Sequence, residues 1–111
     1  MIKIIYEADP EGGKLTMRAE GHAGYAPAGQ DIVCAAVTIL VYTLAAAVGN
    51  MDAAGQARGS SVELGSGHAE IVCAASPRWR ACAKMISDQI CAGFDILRQM
   101  YPERVRYEVR G

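Results

Sequence analysis

His22 and Cys34 stand at the two ends of the stretch HAGYAPAGQDIVC, a spacing that could support nucleophilic chemistry. A thiolate is a strong nucleophile, and an imidazole can take the thiol proton and later deliver one to a leaving amine. An ordinary thiol, with a pKa of about 8.5, is only about 3% thiolate at pH 7. The settings that raise that fraction are helix N-termini and a nearby imidazolium. Asp31 reads as the N-cap of a helix, which makes Cys34 its third residue, beside backbone N–H groups without partners inside the helix. The positive end of the helix macrodipole lies at the same place.

His22 follows a strand that ends near Glu20, so its backbone is held on that side. The residues between it and Asp31 include Gly24 and Gly29, which tolerate positive φ and let the loop turn back toward the thiol. The spacing predicts a mobile loop over residues 21–30. Asp31 has two competing roles. It can cap the helix, or it can orient His22 as a third catalytic member. The second role requires the carboxylate to lie nearer the imidazole than the sulfur, since a close carboxylate raises a thiol pKa. The N–H groups of Val33 and Cys34 are the expected holders of an oxyanion. Against all this stands the commoner fate of a cysteine in an apolar helix, which is to be a small core residue.

The remaining candidates are weaker. His68 sits at a hairpin turn in GSGHAEI, and Cys73 ends an apolar strand. Cys82 and Cys91 are nine residues apart on a helix, hence on opposite faces. No set of ligands has the short spacings of a zinc site, so neither a metal nor any cofactor is expected. GSGHAE lacks the lysine of a phosphate loop.

The elements that must position these residues follow from periodicity. IKIIYEA and LTMRAEG read as a hairpin around PEGGK. A first helix is predicted from Ile32 to about Val48, stopped by Gly49 and Asn50. SVELG and HAEIVCA form a second hairpin. Ser76 as N-cap and Pro77 at the first position open a second helix that runs to about Met100. Its expected buried stripe is Cys82, Met85, Ile86, Ile90, Phe94, Leu97 and Met100. RVRYEV closes the chain as a strand. The order ββαββαβ implies an α+β two-layer sandwich, with a mostly antiparallel sheet and two helices, in a single domain over residues 1–111.

Composition narrows the functions. The 111 residues are 51% apolar and 21% charged, with a net charge of −1. Scattered lysines and arginines are poor footing for phosphate neutralisation, so no nucleic-acid partner is expected. The N-terminus lacks a basic segment followed by an apolar one, which points to a cytoplasmic protein. In that compartment the four cysteines are expected to be free thiols. Ile32 to Val48 is shorter than the roughly 20 residues that a membrane span requires, so no membrane association is expected. A helix apolar all round has one face too many for a two-layer monomer, and a C2 homodimer would cover it.

Together the residues GHAGYAPAGQDIVCAAVT, Gly21 to Thr38, closely resemble the signature of the ribosomal-processing cysteine proteases, the Prp family. The resemblance implies Cys34 as nucleophile and His22 as general base. Asp31 falls on the family's acidic position and Gly21 on its glycine. It further implies a cytoplasmic, homodimeric endopeptidase that removes a short hydrophobic N-terminal extension from a large-subunit ribosomal protein precursor. Thr38 stands where many relatives carry serine. It keeps a hydroxyl for substrate contact but restricts its rotamer. The alternative is a ribosome-assembly factor that binds the same peptide without cutting it. A thiol redox sensor is disfavoured because Cys34 has no resolving cysteine nearby in sequence.

Overall fold

In the computed structural model, residues 1–11, 13–27 and 30–111 are described. The strands are β1 (Ile2–Ala8), β2 (Lys14–Glu20), β3 (Ser61–Gly65), β4 (His68–Ala74) and β5 (Val105–Arg110), and the helices are α1 (Ile32–Ala53) and α2 (Arg80–Met100). The expected ββαββαβ order is the observed one. Among the described residues the strands make one sheet in the order β3-β4-β2-β1-β5, antiparallel except for the β1–β5 pair.

Alternation along the strands decides which face carries the helices. Ile2, Ile4, Tyr6, Leu15, Met17, Ala19, Ala69, Ile71 and Cys73 all point into one core. Lys3, Glu7, Arg18, Glu70 and Glu108 alternate with them on the opposite, charged face, where Arg18 Nε meets Glu70 Oε2 at 2.8 Å across the β2–β4 pair. Both helices lie on the apolar face, giving the two-layer α+β architecture expected.

Three helix boundaries or faces differ from the sequence expectation. The first helix continues past Gly49 to Ala53. Gly49 is tolerated inside it, and the left-handed residue that ends it is Gly55, at φ +73°. The reason is packing. Val33, Val37, Val41, Leu44, Val48 and Met51 form one buried stripe, and the last of these pins the additional turn. At 22 residues α1 is therefore long and apolar enough to cross a membrane, so the length argument against a span does not hold. What the fold shows is that its valine face is packed into the core.

The second helix opens differently too. Pro77–Trp79 form a 3₁₀ turn, and Ser76 makes no side-chain cap. Its hydroxyl instead donates to Gly55 O at 3.4 Å. The buried stripe of α2 is Ala83, Ser87, Cys91, Phe94 and Leu97, while Met85 and Met100 are exposed. Beside this stripe, at Gly93, α2 comes close to α1. A Cβ on Gly93 would sit 2.7 Å from Leu40 Cδ2 of α1. Phe94 fills the centre of the core and is fully buried.

Candidate active site

The chain leaves β2 at Glu20, crosses residues 21–27 and enters α1. Two left-handed glycines, Gly21 at φ +100° and Gly24 at φ +64°, bracket the short segment that carries His22. Gly21 has no substitute here. A Cβ on it would lie 2.2 Å from Met1 O. Its N–H donates to Gly67 O at 2.9 Å, and the Met1 ammonium donates to His22 O at 2.6 Å. Gly29, expected to help the loop fold back, lies with Ala28 outside the described residues.

Cys34 occupies the first turn of α1 and is half-buried. Its Sγ accepts from the Ala23 N–H at 3.3 Å, so the loop and the thiol do meet. The His22 side chain is exposed and rests against the β3–β4 turn, close enough that a Cβ on Gly67 would be 2.7 Å from Nε2. No hydrogen bond joins the ring to Sγ, but both line one groove of about 500 Å³. Val37, Thr38 and Val41 of α1 form one wall of it, and Leu64 with the β3–β4 turn forms the other. His68 also borders the groove. It lies 3.9 Å from Glu20.

Asp31 caps the helix. Its Oδ1 accepts from the N–H groups of Val33 (3.0 Å) and Cys34 (2.9 Å), and its Oδ2 from those of Tyr25 (3.0 Å) and Ala26 (3.4 Å). These donors, the Cys34 N–H foremost, hold its carboxyl below the usual carboxylate range, and the Cys34 side chain acts in the same direction. No hydrogen bond runs from the carboxylate to the His22 ring. One expectation is corrected. The Val33 and Cys34 N–H groups cannot wait for an oxyanion, because Asp31 already holds both.

Thr38 lies one turn beyond Cys34 and lines the groove, with its hydroxyl donating to Cys34 O at 2.7 Å. That leaves the oxygen's lone pairs for a substrate donor. The other thiols are elsewhere. Cys73 and Cys91 are core residues, and among the described residues no three His, Cys, Asp or Glu side chains gather into a metal site. Sequence reasoning missed Gly67. The pair of glycines around Ser66 announces a hairpin turn, but nothing in that stretch says that the turn supports an imidazole from residue 22.

A thiol at a helix start, an imidazole on the same groove and a loop N–H on the sulfur are what a cysteine peptidase needs. The family model of cysteine protease Prp matches residues 1–106. The chain belongs to the cysteine protease Prp family. Its enzyme class follows: a cysteine-type peptidase. Solved structures with the same fold include the ribosomal processing protease Prp from Staphylococcus aureus in complex with a covalently linked product peptide. That one has 21% identity and a TM-score of 0.76, over 98% of this chain and 99% of that one. The same S. aureus protease with a substrate peptide has 20% identity and a TM-score of 0.69, with coverage of 98% and 99%. SMU.848 from Streptococcus mutans has 22% identity and a TM-score of 0.69, covering 99% of this Prp-family chain and 94% of its own. No curated protein matches the chain.

Proposed function

We propose that this Prp-family peptidase removes the short N-terminal extension of a large-subunit ribosomal protein precursor, with Cys34 as nucleophile and His22 as general base. The observation that carries the assignment is the shared groove. It brings Cys34 Sγ, the His22 ring and the Thr38 hydroxyl to one surface wide enough for a peptide. The S. aureus relatives hold a substrate peptide and a covalently linked product peptide, which supports a peptide as the occupant here too.

The chemistry runs as acyl transfer. His22 takes the Cys34 proton, and Sγ attacks the scissile carbonyl carbon, whose C=O electron pair moves onto oxygen. His22 returns the proton to the leaving nitrogen as the C–N bond breaks, which leaves a thioester. Water, deprotonated by His22, then attacks the thioester and releases the carboxylate product and the free thiol. The Ala23 N–H, which donates to Sγ at 3.3 Å before reaction, turns to the developing oxyanion once the sulfur has bonded to carbon. The imidazole, with the Gly67 turn as its floor, pivots onto the sulfur when peptide fills the groove, since catalytic hydrogen bonds tighten in the complex. Asp31 acts as cap and loop anchor rather than as orienter of His22.

The exposed stripe of α1, with Ile32, Ile39 and Tyr42, supports a second copy of the chain as its cover. The free thiols support a reducing, cytoplasmic setting.

The test is intact mass of the precursor ribosomal protein from the same genome, incubated with wild type, Cys34→Ala and His22→Ala. Wild type shortens the substrate from its N-terminus, Cys34→Ala leaves it whole, and His22→Ala slows cleavage by about 100-fold or more. Cleavage by Cys34→Ala at the wild-type rate removes the assigned mechanism.

A further inference from the structure

We propose that Arg104 is a positioning residue for catalysis, fastening the loop that carries His22 to the turn between α2 and β5. The proposal rests on the reading of Cys34 and His22 as nucleophile and base. Arg104 Nη1 donates to Gly24 O at 2.8 Å, a contact between residues 80 apart in sequence. That carbonyl belongs to the Gly24–Tyr25 peptide group, whose N–H donates to Asp31 Oδ2 at 3.0 Å. In a trans peptide the C=O and N–H point to opposite sides. Arg104 and Asp31 therefore grip one peptide plane from both sides.

The grip continues to the nucleophile. The other oxygen of Asp31 holds the Cys34 N–H at 2.9 Å. A continuous run of hydrogen bonds thus leads from the α2–β5 turn, through the Gly24–Tyr25 peptide and Asp31, to the residue bearing the thiol. Arg104 is itself anchored. Its carbonyl accepts from the Ile2 N–H and its N–H donates to Tyr101 O, both at 2.9 Å. The Tyr101 ring meets Tyr25 edge-on, with centroids 5.6 Å apart, which adds a second contact between the same turn and the same loop.

The left-handed Gly24 makes this grip consequential. Gly21 is held by Gly67 on one side of the His22–Ala23 segment, and Gly24 is the hinge on the other. Glycine resists rotation less than any other residue. Without the guanidinium the Gly24 carbonyl turns to water, the Ala23 N–H leaves Sγ, and the imidazole loses its fixed approach. The groove walls on α1 and the β3–β4 turn do not depend on Arg104, so peptide binding is spared.

The experiment compares Arg104→Ala and Arg104→Lys in the full chain with wild type. It measures kcat and KM on the precursor protein, iodoacetamide alkylation of Cys34 at pH 7, and thermal unfolding. Arg104→Ala is expected to lower kcat about 10- to 100-fold with KM within about threefold, and to slow alkylation of Cys34. Arg104→Lys, which keeps a cationic donor, recovers part of both. If the alanine variant does not fold, Arg104→Gln carries the same comparison. A kcat within about twofold of wild type overturns the proposal. So does a loss that tracks the melting temperature alone and is not relieved by lysine. Cys34→Ala is run alongside. If that variant still cleaves, the nucleophile assignment fails; if it is inactive while Arg104→Ala is unimpaired, only the role of Arg104 fails.

Discussion

Gly67 and His22 lie in such close contact that a side chain at residue 67 would push the ring aside: a Cβ on Gly67 would come within 2.7 Å of the imidazole Nε2 and 3.1 Å of Cε1. Gly67 also sits at φ +68°, a conformation that L side chains rarely adopt. Gly67→Ala is therefore expected to cost about 1 kcal/mol or more of stability. It should also lower cleavage roughly 10- to 100-fold by displacing the base. Chemical denaturation and kcat measured together check this. An unchanged kcat would mean that the resting contact has no bearing on catalysis.

The four thiols are predicted to differ sharply in reactivity. Burial pushes the Cys91 thiol up to about 12, and burial, followed by the Asp52 charge, raises Cys73. At pH 8 Cys91 then has about 1000-fold less thiolate than an ordinary thiol, before any hindrance to reagent. Cys34, half-buried at the groove, should be alkylated first in the native protein, and all four should react after denaturation. Peptide mapping of iodoacetamide adducts over time reads the order directly. Equal rates for Cys34 and Cys73 would remove the case for an accessible, activated thiol.

Asp31 makes a pH-dependent contribution whose sign is set by its lowered folded-state value. The stabilisation is fully present above the unfolded carboxyl value of about 3.9 and is lost as pH falls through the lower folded value. Asp31→Asn lacks this contribution. Its melting temperature should lie below wild type by a constant gap above about pH 5, and the two curves should converge toward strong acid. A gap that persists unchanged through the acid range would show that charge is not what the cap supplies.

Ile39 is 63% exposed and shares one side of α1 with Ile32 and Tyr42. A dimer mass is expected in light scattering at micromolar concentration, and Ile39→Glu should shift it to the monomer without loss of folding. A wild-type monomer would leave that stripe without its proposed partner.

Phe94 is fully buried beside the β5 residue Tyr107, with ring centroids 6.0 Å apart. Phe94→Ala should cost about 3–5 kcal/mol, read as a lower urea midpoint at similar slope. This is a large share of the stability of a domain this size.

What the sequence by itself determined was local. Strand alternation, the Asp31 cap and the hairpin turns depend on neighbours in the chain, so the element order and the two-layer class were legible. So was the family, because the Gly21–Thr38 stretch is contiguous and its residue types carry the chemistry in one place. The ends and faces of the helices were not. Gly49 looked like a stop because intrinsic propensity disfavours glycine, but Val48 and Met51 are buried in the core and carry α1 on to Ala53, with the left-handed Gly55 just beyond it. The buried stripe of α2 fell on Ala83, Ser87 and Cys91 and left Met85 and Met100 exposed, because the rotation of the helix on the core is set by its neighbours and not by its own apolar spacing. Tertiary structure alone decided that Gly67 supports His22 and that Arg104 reaches Gly24. Each of these joins residues that the chain keeps apart until the sheet forms, and no periodicity or spacing encodes a contact of that kind.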